Sequence, residues 1–103
     1  MNKLTTKDNK GDIIEIDNWC SGRYLVEIIS IPDDIKLLWV FDNQLTSLPK
    51  LPNNLEYLSC ERNNIKQLTD LRIYKNLTAV DCDICCFQDY MLEMKNVDFE
   101  FFC

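Results

Sequence analysis

Apolar residues in the middle of the chain recur in a pattern that is neither helical nor simply alternating. One pass places them at Ile35, Leu38, Val40, Leu45, Leu48 and Leu51, with Asn43 in the middle. A second pass reads Leu55, Leu58, Cys60, Ile65, Leu68 and Leu71, with Asn63 in the middle. Each partner lies 20 positions further on, and a fixed period of that length marks stacked structural repeats. A weaker third pass, Leu77, Val80, Cys82, Cys85, Phe87 and Tyr90, follows a small insertion around "RIYKN". Upstream, Leu25, Ile28, Ile31 and Pro32 have the spacing of Leu45, Leu48, Leu51 and Pro52.

The spacing translates into elements. Leu38 and Val40 are two apart, as are Leu58 and Cys60, and Val80 and Cys82, so a strand turns both members of each pair to one face and their neighbours to the other. Each pass therefore predicts a short, half-buried strand. Asn43 and Asn63 fall where the chain leaves the strand, and a carboxamide there can both donate to and accept from backbone groups that have lost their sheet partners. These two, with Cys85 in the same column, are expected to form a structural ladder. Pro49 and Pro52 favour an extended return path without helix.

A stack needs about three repeats and covered ends. The reading divides the chain into a flexible N-terminal arm (1–12), an N-terminal cap with a partial repeat (13–34), repeats (35–92) and a C-terminal cap (93–103). In the first cap, "DIIEIDN" and "RYLVEII" are expected to make a hairpin turning at Ser21-Gly22. At the other end "QDYMLEMK" has helical character and "VDFEFF" alternates as a strand does.

These residues resemble the leucine-rich repeat family, whose pattern is LxxLxLxxNxLxxL. More narrowly, "IKLLWVFDNQLTSLPKLPNN" is similar to the short xLPxLPxxL form found in bacterial effectors and some large viruses. The resemblance implies a repeat solenoid of α/β type with short parallel strands, extended or turn segments on the convex side, little helix and capping ends. It also implies partner recognition: in some bacterial effectors that look like this the repeats select a substrate, while a separate, larger domain transfers ubiquitin. No catalytic residue carries over. Departures are Cys60 and Cys82 in place of aliphatics, Cys85 in the Asn column, and no proline pair after Leu68.

If the LxL positions point inward, their neighbours form the open sheet face. The candidate partner-binding residues are Leu37, Trp39, Phe41, Tyr57, Glu61, Asp81 and Asp83. Large aromatics are enriched at interface hot spots, and acidic residues supply a rim that selects a basic partner. Two readings of Trp39 and Phe41 stand: an exposed docking surface, or rings covered by the N-terminal segment. The partner is expected to be a protein with a basic patch. The alternative is a homodimer through the same apolar patch.

Composition narrows the field. The chain has 103 residues, 47% hydrophobic and 27% charged, which suits one folded domain. A formal net charge of -6 repels phosphate backbones and anionic bilayers, so neither nucleic acid nor membrane is expected as partner. The longest apolar run, "IKLLWVF", is far short of the roughly 20 residues of a spanning helix, and "MNKLTTKDNKGD" lacks the apolar core of a secretory signal. A cytoplasmic location, including a host cytoplasm, is expected, with all six cysteines as free thiols. "CDICC" places Cys82, Cys85 and Cys86 together, and CxxC is half of a common zinc motif. A zinc site is accordingly a third reading. Against it, Cys60 and Cys82 occupy core columns and Cys86 is expected to point away from them, so neither metal ligand nor cofactor is assigned. Without a histidine, and with two glycines in all, the chain offers no ordinary general base and no phosphate loop. No enzymatic activity is expected.

Overall fold

The structure is a computed structural model and describes residues 3–103. It is mostly sheet with little helix. Strands β1 (Leu4–Asp8), β2 (Ile13–Ile16) and β3 (Leu25–Ser30) make an antiparallel sheet of order β2-β1-β3. Strands β4 (Leu37–Trp39), β5 (Tyr57–Ser59), β6 (Ala79–Asp83) and β7 (Asp98–Phe102) make a parallel sheet in sequence order. Three short 3-10 helices lie at Leu71–Ile73, Ile84–Cys86 and Asp89–Glu93. Among the described residues no helix is long and apolar enough to cross a membrane.

The parallel sheet follows from the LxL spacing. Leu38 pairs with Leu58, Leu58 with Val80 and Val80 with Phe99, and the first three are fully buried. A one-residue slip would exchange this apolar column for the polar one. Parallel strands need a crossover of a dozen or more residues, commonly a helix, yet residues 40–56 join β4 to β5 without one. Pro49 and Pro52 hold that segment extended, while Leu45, Leu51 and Leu55 drop into the core beneath the strands. The 3-10 helices lie in the two later connections, where prolines are absent.

Both ends differ from the expected caps. Residues 4–8, assigned to a flexible arm, form the central strand of the antiparallel sheet, with Leu4 and Thr6 fully buried. Met1 and Asn2 of that arm lie outside the described residues. No hairpin turns at Ser21-Gly22, because β1 lies between β2 and β3. The turn instead joins β1 to β2. There the Asp8 carboxylate accepts the amides of Lys10 and Asp12, each at 2.9 Å, and Gly11 takes φ +87, a left-handed value that costs glycine little. At the other end "VDFEFF" does form a strand, but as a parallel partner of β6, with its outer edge unpaired among the described residues. The helical character of "QDYMLEMK" becomes the single 3-10 turn Asp89–Glu93, which buries Met91.

A left-handed column accompanies the strands. Gly22, Asp42 and Arg62, spaced 20 apart, have φ of 67, 60 and 59. The chain bends inward at each, so Asp42 and Arg62 belong to a turn rather than to the flat sheet. The amides of Gly22 and Asp42 donate to the carbonyls of Asp42 and Glu61 at 2.9 and 3.0 Å, extending the ladder past the strand ends.

Candidate interaction face

The amides that keep the face in place are held from behind. Asn43 donates its Nδ2 to the carbonyls of Cys20 (2.9 Å), Val40 (3.0 Å) and Phe41 (3.3 Å) and accepts the amides of Arg23 and Leu25 at Oδ1, each at 3.0 Å. Asn63 repeats the scheme one strand later, donating to Val40, Cys60 and Glu61 and accepting the Leu45 amide at 3.0 Å. The third rung has different chemistry. The carboxylate of Asp83 accepts the amides of Arg62 (2.8 Å) and Asn63 (3.2 Å), and the thiols of Cys85 and Cys86 both donate to the Ile65 carbonyl, at 3.3 and 3.2 Å. Cys85 is exposed whereas Cys86 is buried. The expectation that Cys86 points away from Cys60 and Cys82 is thus reversed: the 3-10 turn Ile84–Cys86 buries it beside Cys82.

That turn also sets the thiol chemistry. Hydrogen bonding between the Cys82 and Cys86 thiols pushes the Cys82 thiol up, with burial adding to it, and lowers that of Cys86. Burial is the leading reason that Cys60 is raised well above its ordinary value and that Cys20 is raised to about 11. Among the described residues, no three histidine, cysteine or carboxylate side chains converge in an arrangement that could hold a metal ion.

On the other side of the strands lie the residues expected to meet a partner. Leu37 is exposed, and Trp39, Phe41, Tyr57, Glu61, Asp81 and Asp83 are half-buried. The aromatic rings touch one another. Trp39 lies 5.5 Å, centroid to centroid, from Tyr57. Trp19 stacks on Trp39 at 5.0 Å and meets Phe41 edge-on at 6.3 Å. Trp19 was not among the expected residues. It forms an isolated parallel bridge with Trp39, so the row begins at Trp19 rather than at Trp39 of β4, where the sequence reading placed it; the 20-residue spacing between the two tryptophans was the available signal. The N-terminal segment therefore supplies a ring to this face, and that ring is itself 57% exposed.

Rows run across the strands in register. One reads Trp19, Trp39, Ser59, Asp81, Glu100, and the next reads Leu37, Tyr57, Ala79, Asp98. The face is aromatic at β4 and acidic at β7. Asp98 and Glu100 also escaped the sequence reading, although their alternation with Phe99 and Phe101 was visible. Where the two ends meet, the Tyr57 hydroxyl donates to Asp81 Oδ2, and the Ser59 hydroxyl donates to Glu61 Oε1 at 2.7 Å. Burial, then the bond to the Asp81 carboxylate, pushes the Tyr57 phenol up to about 12. Compared with family models, curated protein sequences and solved structures, the chain has no match.

Proposed function

We propose that the chain is a leucine-rich repeat solenoid and a non-catalytic protein-binding module, with the open face of its parallel sheet as the docking surface. What carries the reading is the contiguous group Trp19, Trp39, Phe41 and Tyr57 on the solvent side of the strands. Covering an indole is worth about 2 kcal/mol, so a face that leaves one largely wet holds association free energy unused by the fold. Such patches mark interaction sites. The 20-residue period, the Asn rungs and the helix-free crossover support the solenoid. Six cysteines without a disulfide suit a reducing cytoplasm.

Trp19→Ser and the double variant Trp39→Ser/Phe41→Ser test the docking surface. Both are expected to lose a partner retained by the unaltered protein on an affinity column while keeping its circular dichroism. If the unaltered protein is instead a dimer by light scattering, and the variants are monomers, the patch serves self-association. Loss of the fold in Trp19→Ser overturns the reading, since the rings would then be core.

A further inference from the structure

We infer that the acidic end of this face binds arginine side chains of an extended partner segment whose apolar residues cover the tryptophans; this rests on the docking role proposed above. The ion pairs among the described residues are Lys3 with Asp17 and Arg72 with Asp70. Neither includes Glu61, Asp81, Asp83, Asp98 or Glu100, so the face gathers five carboxylates without a cation of its own. Asp83 is committed to the backbone amides of Arg62 and Asn63 and serves mainly as scaffold. Asp81 and Glu61 each accept one bond from a neighbouring hydroxyl through one oxygen, which leaves the other oxygen outside those bonds. Asp98 and Glu100 stand exposed on β7.

Geometry narrows the cation. Asp81 is one strand from Ser59 and two from Trp39 in the same row, and adjacent strands lie about 4.8 Å apart. A planar, weakly hydrated guanidinium between them can lie on the Trp39 and Tyr57 rings while its N–H fork meets the carboxylates. An ammonium has a compact, strongly hydrated charge and uses a ring face less well. The molecule already contains the complete arrangement elsewhere. Arg72 is held by both oxygens of Asp70, with its terminal nitrogen at 2.7 Å, and lies over the Tyr90 ring at 4.5 Å. The sheet face presents the carboxylates and rings of that trio and lacks the guanidinium. Since the rings occupy the β4 end and the carboxylates continue to β7, a segment crossing the strands meets them in the order apolar, then cationic.

The two tryptophans of the chain, Trp19 and Trp39, both lie in this face, so intrinsic fluorescence reports on it directly. The probes are three blocked ten-residue peptides with the same leucine-containing first half and a second half bearing arginine, its neutral isostere citrulline, or glutamate. The arginine peptide is expected to shift the emission saturably and to bind at least tenfold more tightly than the citrulline peptide, with the difference shrinking as salt is raised. The double variant Asp98→Asn/Glu100→Gln, which alters exposed side chains alone, should reduce that preference. Adding Asp81→Asn should abolish it while leaving citrulline binding unchanged. Equal binding of the arginine and citrulline peptides overturns the inference but leaves the docking surface intact. No emission change with any of the three overturns the inference as well, and the docking role itself then stands or falls with Trp19→Ser on the affinity column.

Discussion

The Asn-bearing turns beside β4 and β5 meet the same backbone demands as the turn after β6, but with different side chains. At the first two, a single carboxamide supplies donor and acceptor, and Asn43 alone makes five bonds. At the third the work is divided. Asp83 accepts amides, and two thiols donate weakly to one carbonyl. A carboxylate cannot donate and a thiol accepts poorly, so no single residue there replaces the asparagine, and the 3-10 turn Ile84–Cys86 places both thiols within reach of the Ile65 carbonyl. A column position in a repeat is thus a requirement for bonds, which one residue or several can meet.

Unequal sensitivity of the two regions is the first consequence. Asn43→Ala is expected to be the most damaging change, about 3 kcal/mol, because it orphans several backbone groups at a buried position and each such group costs about 1–3 kcal/mol. Asn63→Ala should cost less, about 2 kcal/mol, since Asn63 is half-buried and water can replace part of what is lost. Urea unfolding followed by circular dichroism gives both values, and equal effects would show that burial does not grade the rungs. Cys86→Ala should cost about 1 kcal/mol, a weak bond and a small volume. A loss as large as that of Asn43→Ala would mean that the thiol does the full work of a carboxamide.

Thiol labelling sharpens the contrast within the third turn. Cys85 and Cys103 are exposed, whereas Cys20, Cys60, Cys82 and Cys86 are buried, so an aromatic disulfide reagent should titrate the first two rapidly and the other four after denaturation. Rapid labelling of Cys86 would show that its turn opens. The smallest effect lies at the junction of the two regions, where Tyr57 of β5 bonds to Asp81 of β6. Its phenol is raised to about 12, so the protonated form is favoured by folding. That stabilisation is complete below about pH 10, the unfolded value, and is lost as pH rises through about 12. The difference in phenolate absorbance between the unaltered protein and Tyr57→Phe should show this midpoint, and Asp81→Asn should lower it part of the way, burial supplying the rest. An unshifted midpoint in the unaltered protein would remove the bond between the regions.

Much of the sheet was legible. Leu38, Leu58 and Val80 were readable as one buried column because a strand's two-residue alternation leaves an apolar pair one face to occupy. Trp39 and its neighbours followed by exclusion on the opposite face. The N-terminal region was less legible. "LTTKD" carries one leucine and no alternation of strong hydrophobes. Thr6 is buried because its hydroxyl reaches the Ile14 carbonyl at 2.8 Å, a partner brought near by pairing with β2. Trp19 was readable from its distance to Trp39, but flanking residues without the LxL pattern hid the bridge between them. Cys85 and Cys86 are adjacent and chemically identical, so which one turns inward was not readable from residue type and was decided by packing against the Ile65 segment.

The amino-acid sequence by itself determined the period, the inward column, the asparagine rungs and the acidic balance, because each is written in residue types at fixed spacing and needs no distant partner to be read. Tertiary structure decided the strand order β2-β1-β3, the inward thiol, the commitment of Asp83 to backbone amides and the meeting of Trp19 with Trp39. These depend on which segments lie side by side after folding, and burial and hydrogen bonding between distant residues, rather than local preference, select that arrangement.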